Sequence, residues 1–292
     1  MKLYAQSTIN EIRQRYDFRF SKSLGQNFLT DKNIIDKIIE DSYIGEDDLV
    51  IEIGPGIGVL TQAAAETGAR VIAVEIDKNL IPILRETLGE YERVQVVNAD
   101  ILKTDINALI RQAEEAEGRS FQSVRIIGNL PYYITTPIIM KILEEGVGAT
   151  SITIMMQKEV AERINAEPGT KAYGALSVAV QYYCSVKPVA RVPKEVFMPQ
   201  PKVDSAVIRL DLREEKPVDL VEEKVFFACI KAGFGQRRKT MSNSLTGLCG
   251  LEKPQVLEVL EELGIDPRRR AETMSIQEFA GVANLVAGKI KG

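Results

Sequence analysis

The chain has 292 residues, of which 45% are hydrophobic and 27% are charged, and its formal net charge is −4. This is the composition of an ordinary globular protein with one large domain and a smaller one, and its net negative charge leaves nucleic-acid binding to local clusters of cations. The sequence contains no histidine, which excludes Ser-His-Asp and Cys-His nucleophiles and His-ligated metal sites.

The cysteines and the hydropathy pattern indicate the compartment. Cys184, Cys229 and Cys249 are far apart and form no CxxC pair, so we expect reduced and mostly buried thiols. Residues 1–16 lack the apolar core of a signal peptide, and no apolar run approaches the length of about 20 residues that spans a membrane. We therefore expect a cytoplasmic protein with no membrane segment and no metal site.

Residues 1–23 form a locally basic segment, with five cations against two acids. A segment of this kind ahead of a domain is typical of a solvated surface, and we expect a basic arm here. The next residues, Leu-Gly-Gln-Asn-Phe-Leu at 24–29, place polar amides between apolar side chains. Thr30 or Asp31 can then cap a helix that runs through 34–39.

The first part of the predicted sheet points to a nucleoside-containing cofactor. A buried strand at 49–53 is followed by a glycine-rich turn at 54–58, a helix at 59–67 and a second strand that ends at Glu75. Glycines let the backbone approach a ligand closely, and an acidic residue at the second strand end can accept hydrogen bonds from ribose hydroxyls. A glycine turn alone is a weak signal, because it can be a purely structural turn.

The residues after the third and fourth strands indicate which reaction the cofactor serves. Residues 94–97 end near Asp100, which can accept a bond from an adenine amine, and residues 124–127 lead through Gly128 into Asn129. We expect Gly128 to let the backbone leave the fourth strand. Asn-Leu-Pro-Tyr could by itself be an ordinary turn. Because parallel strands end at one edge of a sheet, however, Gly54, Glu75, Asp100 and Asn129 should line one crevice. A nicotinamide site would not need the asparagine, whereas methyl transfer to an amine would.

The rest of the chain completes the sheet and adds a helical domain. We predict helices at 136–145, 157–163 and 176–183, a strand at 151–156, and an antiparallel pair at 188–192 and 204–212. A polar joint at 213–217 precedes helical patterns at 220–233, 240–248, 253–263 and 275–287. The expected domains are therefore residues 1–212, including the basic arm, and residues 213–292.

Two groups of adjacent cations interrupt the helical patterns and favour phosphate contact over a merely solvated surface. We call them the first basic cluster (Arg237, Arg238 and Lys239) and the second basic cluster (Arg268, Arg269 and Arg270).

Taken together, these motifs resemble the S-adenosylmethionine-dependent ribosomal RNA adenine dimethyltransferases, the KsgA family. The likeness runs from about residue 18 to residue 279. Asn-Leu-Pro-Tyr at 129–132 is shared by many amino methyltransferases. The more specific segments are Leu-Gly-Gln-Asn-Phe-Leu at 24–29, Phe-Met-Pro-Gln-Pro-Lys-Val-Asp-Ser-Ala-Val at 197–207 and Phe-Gly-Gln-Arg-Arg-Lys at 234–239.

The resemblance implies a fold, a reaction and a partner. The fold would be α/β, a Rossmann-like class I S-adenosylmethionine-dependent methyltransferase domain with a small C-terminal all-α domain. The cofactor would be S-adenosyl-L-methionine, and the substrate two adjacent adenosines near the 3′ end of 16S ribosomal RNA in the small subunit. The protein would be a monomer. Alternatives are a large-subunit dimethyltransferase of the macrolide-resistance type, a non-catalytic assembly or transcription factor on the same fold, and a nicotinamide dehydrogenase.

The resemblance also implies roles for individual residues. Asn129 and the Leu130 carbonyl would accept the two N–H bonds of the target amine, with Pro131 holding the turn and Tyr132 and Phe197 stacking on the base. The expected cofactor-binding residues are Asn27, Leu29, Gly54, Glu75, Asp100 and Asn129. The expected RNA contacts are Arg237, Arg238 and Lys239 together with Arg268, Arg269 and Arg270.

Overall fold

The computed structural model describes residues 1–21 and 24–291. The chain divides into two compact units. The first unit comprises residues 1–161 and 186–212, and the second unit comprises residues 162–185 and the chain from residue 213 onward. The chain passes from the first unit to the second at the expected boundary, between residues 212 and 213. Residues 162–185, which we expected in the first domain, belong instead to the second unit.

A sheet of seven strands forms the core of the first unit, in the order β4-β3-β2-β5-β6-β9-β7. Strands β2 to β6 are mutually parallel and β9 is antiparallel to β6. A two-stranded antiparallel ribbon pairs β1 with β8. The strands are β1 (Phe28–Leu29), β2 (Leu49–Ile53), β3 (Arg70–Glu75), β4 (Val94–Asn98), β5 (Val124–Asn129), β6 (Ser151–Gln157), β7 (Cys184–Val192), β8 (Phe197–Met198) and β9 (Ser205–Leu212).

Most predicted helices are confirmed to within a few residues at their ends. The exception in length is 240–248, where a five-residue helix is followed by a short 3₁₀ turn. The helices are α1 (Gln6–Arg15), α2 (Lys32–Asp41), α3 (Val59–Ala65), α4 (Ile81–Thr87), α5 (Ile106–Glu117), α6 (Thr135–Glu144), α7 (Lys158–Ile164), α8 (Ala175–Tyr183), α9 (Glu223–Phe234), α10 (Met241–Leu245), α11 (Lys253–Glu262) and α12 (Ile276–Lys291). Short 3₁₀ turns lie at Ile101–Lys103, Lys194–Val196, Leu248–Gly250 and Ala271–Thr273.

The expectation of a solvated arm at residues 1–23 is wrong for most of the segment. Residues 6–15 form α1, and Leu3, Ile9 and Ile12 are at most 4% exposed within the main hydrophobic cluster. Ile9 and Ile12 have helical spacing, so one face of α1 is buried. Of its two cations, Arg15 is exposed, whereas Arg13 is half-buried over the ring of Phe20. Arg15 and Tyr16 both bond the carboxylate of Glu86. Of the expected basic residues, Lys22 lies outside the described residues.

Gly128 does not end the fourth strand, as we had expected, but lies inside β5. A Cβ added there would lie 2.7 Å from the carbonyl oxygen of Ile53 in the neighbouring strand β2. The glycine therefore serves the close approach of two backbones, and this lets β5 continue to Asn129.

Aromatic contacts explain why α8 belongs to the second unit. The hydroxyl groups of Tyr182 and Tyr183 donate to the carboxylate of Glu223, at 3.0 and 2.7 Å. Their rings pack against Phe226 and Phe227 of α9. These partners lie at least 40 residues away in sequence, so the chain order alone did not reveal the grouping.

The cysteines match the expectation of mostly buried thiols. Cys184 and Cys229 are buried, Cys249 is exposed, and none of the three forms a disulfide. In residues 1–21 and 24–291, no helix is both long and apolar enough to cross a membrane. Over the same described residues, no three His, Cys, Asp or Glu side chains are grouped so that they could hold a metal ion.

Candidate active site

A cavity opens in the first unit at the carboxyl ends of the parallel strands. It lies where the strand order reverses, since β3 and β4 continue on one side of β2 and β5 and β6 on the other. In open α/β sheets this switch point is the usual place for a ligand. The structure brings nine of the predicted site residues together in its lining: Asn27, Leu29, Gly54, Glu75, Asp100, Asn129, Leu130, Pro131 and Tyr132.

The glycine turn after β2 has the backbone conformation that its sequence predicts. Gly54, Gly56 and Gly58 have φ values of +70°, +62° and +95°, in the left-handed region that favours glycine. A Cβ added at Gly54 would meet nothing within 4 Å, whereas a Cβ added at Gly56 would lie 2.9 Å from the ring of Phe28. The turn is therefore open at Gly54, while the N-terminal segment that contains β1 packs against it at Gly56.

Glu75 lies at the end of β3 and is only 4% exposed. Its carboxylate accepts the backbone N–H of Asp77 at 2.8 Å and that of Gly56 at 3.3 Å. Burial nevertheless raises the pKa of Glu75 to about 7, since the two N–H donors only partly offset the loss of solvation. Gln26 donates to Asp77 at 2.8 Å, which ties the N-terminal segment to this corner of the cavity.

Glu52 is a cavity residue to which the sequence analysis gave no role. It is 1% exposed, lines the cavity from within β2 and accepts a hydrogen bond from the Thr61 hydroxyl. Burial raises the pKa of Glu52 to about 8. The sequence does indicate this position, because an acidic residue in an otherwise apolar buried strand is costly to bury and is therefore a candidate for a functional role.

Asp100 occupies the corresponding place after β4. One carboxylate oxygen accepts the backbone N–H of Leu102 at 3.0 Å, and the other lies 3.7 Å from the ammonium of Lys103. The side chain is 28% exposed, so one side of the carboxylate remains open to a ligand. Its role as an acceptor for an adenine amine stays a prediction.

The orientation of the Asn129 side-chain amide is fixed by a backbone group. Its nitrogen Nδ2 donates to the carbonyl oxygen of Asn27 at 2.8 Å. The assignment of the two amide atoms follows from this partner, because a flipped amide would place two acceptor oxygens at hydrogen-bond distance. The side-chain oxygen Oδ1 of Asn129 is therefore the acceptor left for a ligand. Asn27 is itself held by its side-chain bond to the Gly25 carbonyl at 3.0 Å.

Tyr132 is partly buried and is held by a residue that the sequence analysis quoted only as part of a motif. Its hydroxyl shares a hydrogen bond of 2.8 Å with the hydroxyl of Ser205, which is 1% exposed at the start of β9. Burial raises the pKa of Tyr132, and the bond to Ser205 opposes that shift in part. Both hydroxyls are thus satisfied, and the ring of Tyr132 is held at the cavity wall.

Phe197 is not one of the residues that line the cavity. It is 4% exposed, belongs to the main hydrophobic cluster and pairs with Leu29 in the β1–β8 ribbon. In this structure its ring is a core side chain, which is the ordinary place for a phenylalanine. Stacking of Phe197 on a base would require its side chain to leave the core, and it stays a prediction.

The two basic clusters, separated by about 30 residues, meet in the second unit. The N–H of Met241 donates to the Arg269 carbonyl at 2.7 Å, and that of Ser242 donates to the Pro267 carbonyl at 3.2 Å. These bonds join the loop of the first basic cluster to that of the second. The result is one basic surface assembled from two loops.

The cations of this surface are not equivalent. The three members of the first basic cluster are exposed. Arg269 instead donates to the carboxylate of Glu278, which also accepts the N–H of Ser275 at 2.8 Å at the start of α12. Arg268 pairs with Asp266 at 2.9 Å. The first basic cluster therefore offers more free positive charge than the second.

Comparison with known proteins identifies the family. Residues 17–287 match the family model described as ribosomal RNA adenine dimethylase, which is most of both units. The chain belongs to the ribosomal RNA adenine dimethylase family. This membership confirms the resemblance drawn from the motifs, the S-adenosylmethionine-dependent methyltransferase class and its cofactor.

Relatives of this dimethylase are similar over nearly their whole length. A protein named ribosomal RNA small subunit methyltransferase A from Clostridioides difficile is 51% identical over 99% of this chain and 98% of its own. One of the same name from Alkaliphilus oremlandii is 55% identical, with 96% of each chain covered.

Solved structures confirm the Rossmann-like fold. A dimethyladenosine transferase from Plasmodium falciparum superposes with a TM-score of 0.74 at 25% identity, covering 87% of this chain and 95% of its own. The 23S rRNA methyltransferase ErmE gives a TM-score of 0.67 at 26% identity, covering 89% and 99%.

The residues of this dimethylase fit S-adenosylmethionine on their own chemistry. The glycine turn leaves space beside the backbone, Glu75 is a carboxylate suited to a ribose, and Asp100 is an acceptor at the next strand end. Burial raises the pKa of Glu52 to about 8 and that of Glu75 to about 7, so both side chains are partly or mostly uncharged near pH 7. A bound cation such as a sulfonium would favour their charged forms.

Proposed function

We propose that this protein transfers methyl groups to the exocyclic amines of two adjacent adenosines near the 3′ end of 16S ribosomal RNA, at a late step in assembly of the small subunit. The observation that carries the proposal is the oriented amide of Asn129, which leaves an acceptor oxygen in a cavity beside Tyr132. Relatives more than 50% identical over almost the whole chain are named for the small subunit.

The chemistry requires a weak nucleophile to be activated. The lone pair of an adenine exocyclic amine is delocalised into the ring, so the amine reacts poorly by itself. Oδ1 of Asn129 accepts one N–H of the amine and the carbonyl of Leu130 accepts the other. Pro131 restricts Leu130 to extended geometry and so holds that carbonyl in place. Two acceptors on one nitrogen localise its lone pair and orient it, which is catalysis by positioning and electrostatics.

The cofactor side of the cavity provides binding and orientation. S-adenosylmethionine, when bound, supplies an electrophilic methyl group on a positively charged sulfur. Glu75 holds the ribose hydroxyls, Asp100 accepts the adenine amine, and Gly54 lets the backbone approach the ligand. Because a sulfonium would favour the charged forms of Glu52 and Glu75, the two would then provide negative charge in a buried setting, where it acts more strongly than in water.

The target adenine must leave its stack to reach this cavity, and Tyr132 replaces the lost stacking with its own ring. The bond from Tyr132 to Ser205 fixes the ring, so less conformational freedom is lost when the base arrives. The two basic clusters attract RNA phosphates and supply the salt-dependent part of the affinity.

A second candidate is a large-subunit RNA methyltransferase, because ErmE, a 23S rRNA methyltransferase, shares the fold over 89% of this chain. Its sequence identity is 26%, about half that of the relatives named for the small subunit. The higher identity favours the small subunit as substrate. We infer a monomer that acts in the cytoplasm, where its three thiols stay reduced.

The test is transfer of labelled methyl groups from S-adenosylmethionine to unmethylated small subunits, with unmethylated large-subunit RNA in parallel. We expect dimethyladenosine on the small subunit alone. Label on large-subunit RNA would move the protein to the second candidate. Tight binding to the small subunit without any label would leave a non-catalytic assembly factor.

A further inference from the structure

Tyr133 is an exposed aromatic residue at the mouth of the cavity. Its side chain is 62% exposed, and it lines the same cavity as Asn129 and Tyr132. Single exposed apolar side chains are normal and need no explanation. Among the described residues, however, the exposed large aromatics are Tyr43 and Tyr133, and Tyr43 does not line the cavity.

The ring of Tyr133 rests against the N-terminal segment. Gly25 has φ of +61°, and a Cβ added there would lie 3.7 Å from Cε1 of Tyr133 and 3.3 Å from Cβ of Pro131. Glycine at this position lets the segment pass close to both residues. One edge of the Tyr133 ring is thereby supported, while most of the ring faces solvent.

The base next to the target adenine needs a new stacking partner when the target enters the cavity. A base that enters the cavity breaks its stacking with its neighbours, so an adjacent base also loses a partner. Tyr133 directly follows Tyr132, the ring proposed to hold the target base. Their Cα atoms are about 3.8 Å apart, and both residues line the cavity. An exposed aromatic ring can stack on any base, because every base has a π face.

We propose that Tyr133 is a stacking platform for the base next to the target adenine in single-stranded RNA. The identity of the target rests on the proposed function, whereas stacking on RNA does not depend on methyl transfer. Tyr133 thus acts in substrate binding, outside the group of residues that contact the reacting amine.

Affinity is the first readout. Loss of one base–aromatic stack weakens single-strand binding by about five- to a hundred-fold, and we expect Tyr133→Ala to raise the Kd for RNA and the KM for small subunits about tenfold. Tyr133→Phe keeps the ring and should stay within about twofold of the wild type. Tyr43→Ala is the matched control, since that tyrosine is 65% exposed away from the cavity, and it should change neither constant.

A fluorescent base tests the stack directly. The probe is an RNA hairpin whose loop carries two consecutive adenosines, with 2-aminopurine on the 5′ or the 3′ side of the pair. Stacking quenches this base, so at one of the two positions its fluorescence should be lower in the complex with the wild type than in the complex with Tyr133→Ala, where the base has lost its neighbour and gained no ring. Equal quenching by the wild type and Tyr133→Ala, or an unchanged Kd, would overturn the stacking platform.

The two proposals fail in different ways. Quenching that depends on Tyr133 without methyl transfer to small subunits would refute the proposed function and leave the platform in place. Methyl transfer to small subunits, with the same Kd and the same quenching in the wild type and Tyr133→Ala, would refute the stacking platform and leave the proposed function in place.

Discussion

Replacing Asn129 by alanine is the most direct test of the proposed chemistry. The substitution removes Oδ1, the acceptor left for the amine, and Nδ2, which donates to the Asn27 carbonyl at 2.8 Å. It therefore has a catalytic effect and a structural one. The structural effect falls on a loop that lines the cofactor cavity, so both must be measured.

The two effects differ in size. Removing one preorganised hydrogen-bonding group from an active site typically costs about 10²–10³ in kcat, and we expect a loss in that range for Asn129→Ala. An unpaired carbonyl costs about 1–3 kcal/mol when it is fully buried. Asn27 is only partly buried, so water can replace the lost donor. We therefore expect cofactor affinity to fall less than tenfold.

The assay is single-turnover methyl transfer at saturating small subunits, with the Kd for S-adenosylmethionine measured by calorimetry. Asn27→Ala is the matched control. It removes the side-chain bond to the Gly25 carbonyl at 3.0 Å but keeps the backbone carbonyl that orients Asn129. The control should lower cofactor affinity more than turnover. Turnover of Asn129→Ala within threefold of the wild type, or equal losses in turnover and cofactor affinity, would refute the assigned role.

Three further predictions concern the cofactor pocket, the basic surface and the base-stacking ring. Burial raises the pKa of Glu75 to about 7, so cofactor affinity should rise as the pH passes through 7. The unfolded chain releases the same proton near pH 4.3, so the free protein should lose stability between about pH 4.3 and 7 and level off above that. Calorimetry and thermal melts should show both trends weakened in Glu75→Gln. Replacing the first basic cluster by glutamine should flatten the salt dependence of RNA binding by about 0.7–0.9 per cation, whereas Arg269→Gln should mainly lower the melting temperature, and an unaltered salt slope would make the first cluster ordinary surface. Ser205→Ala should raise the KM for small subunits several-fold and leave the cofactor Kd unchanged. Tyr132→Phe already lacks the bond between the two hydroxyls, so adding Ser205→Ala to it should raise the KM little further. Additive increases in KM would show that Ser205 acts through another partner.

The sequence was sufficient for the parallel sheet and for the cavity lining at its edge. Apolar runs of strand length fix the strands, and parallel strands bring their carboxyl ends to one edge, which explains why Gly54, Glu75, Asp100 and Asn129 were found together. Local chemistry determines these positions, so they are visible in a linear pattern.

Features that depend on distant partners could not be found in this way. The apolar face of α1 was hidden by the cations around it, although Ile9 and Ile12 carry its helical spacing. Gly128 looked like the end of a strand because its close partner, Ile53, lies 75 residues earlier in the chain. The same holds for Ser205, whose hydroxyl is 73 residues from that of Tyr132.

The N-terminal segment has a larger part in the active site than a basic arm would. The carbonyl of Asn27, 102 residues from Asn129 in sequence, accepts a hydrogen bond from Nδ2 of the Asn129 amide and so leaves its oxygen Oδ1 as the free acceptor. Gln26 is bonded to Asp77, two residues after Glu75, and Gly25 passes close to the ring of Tyr133. Three consecutive residues thus adjoin Asn129, Asp77 and Tyr133 around one cavity. Because one short segment adjoins all three residues, a displacement of it would disturb all of them at once.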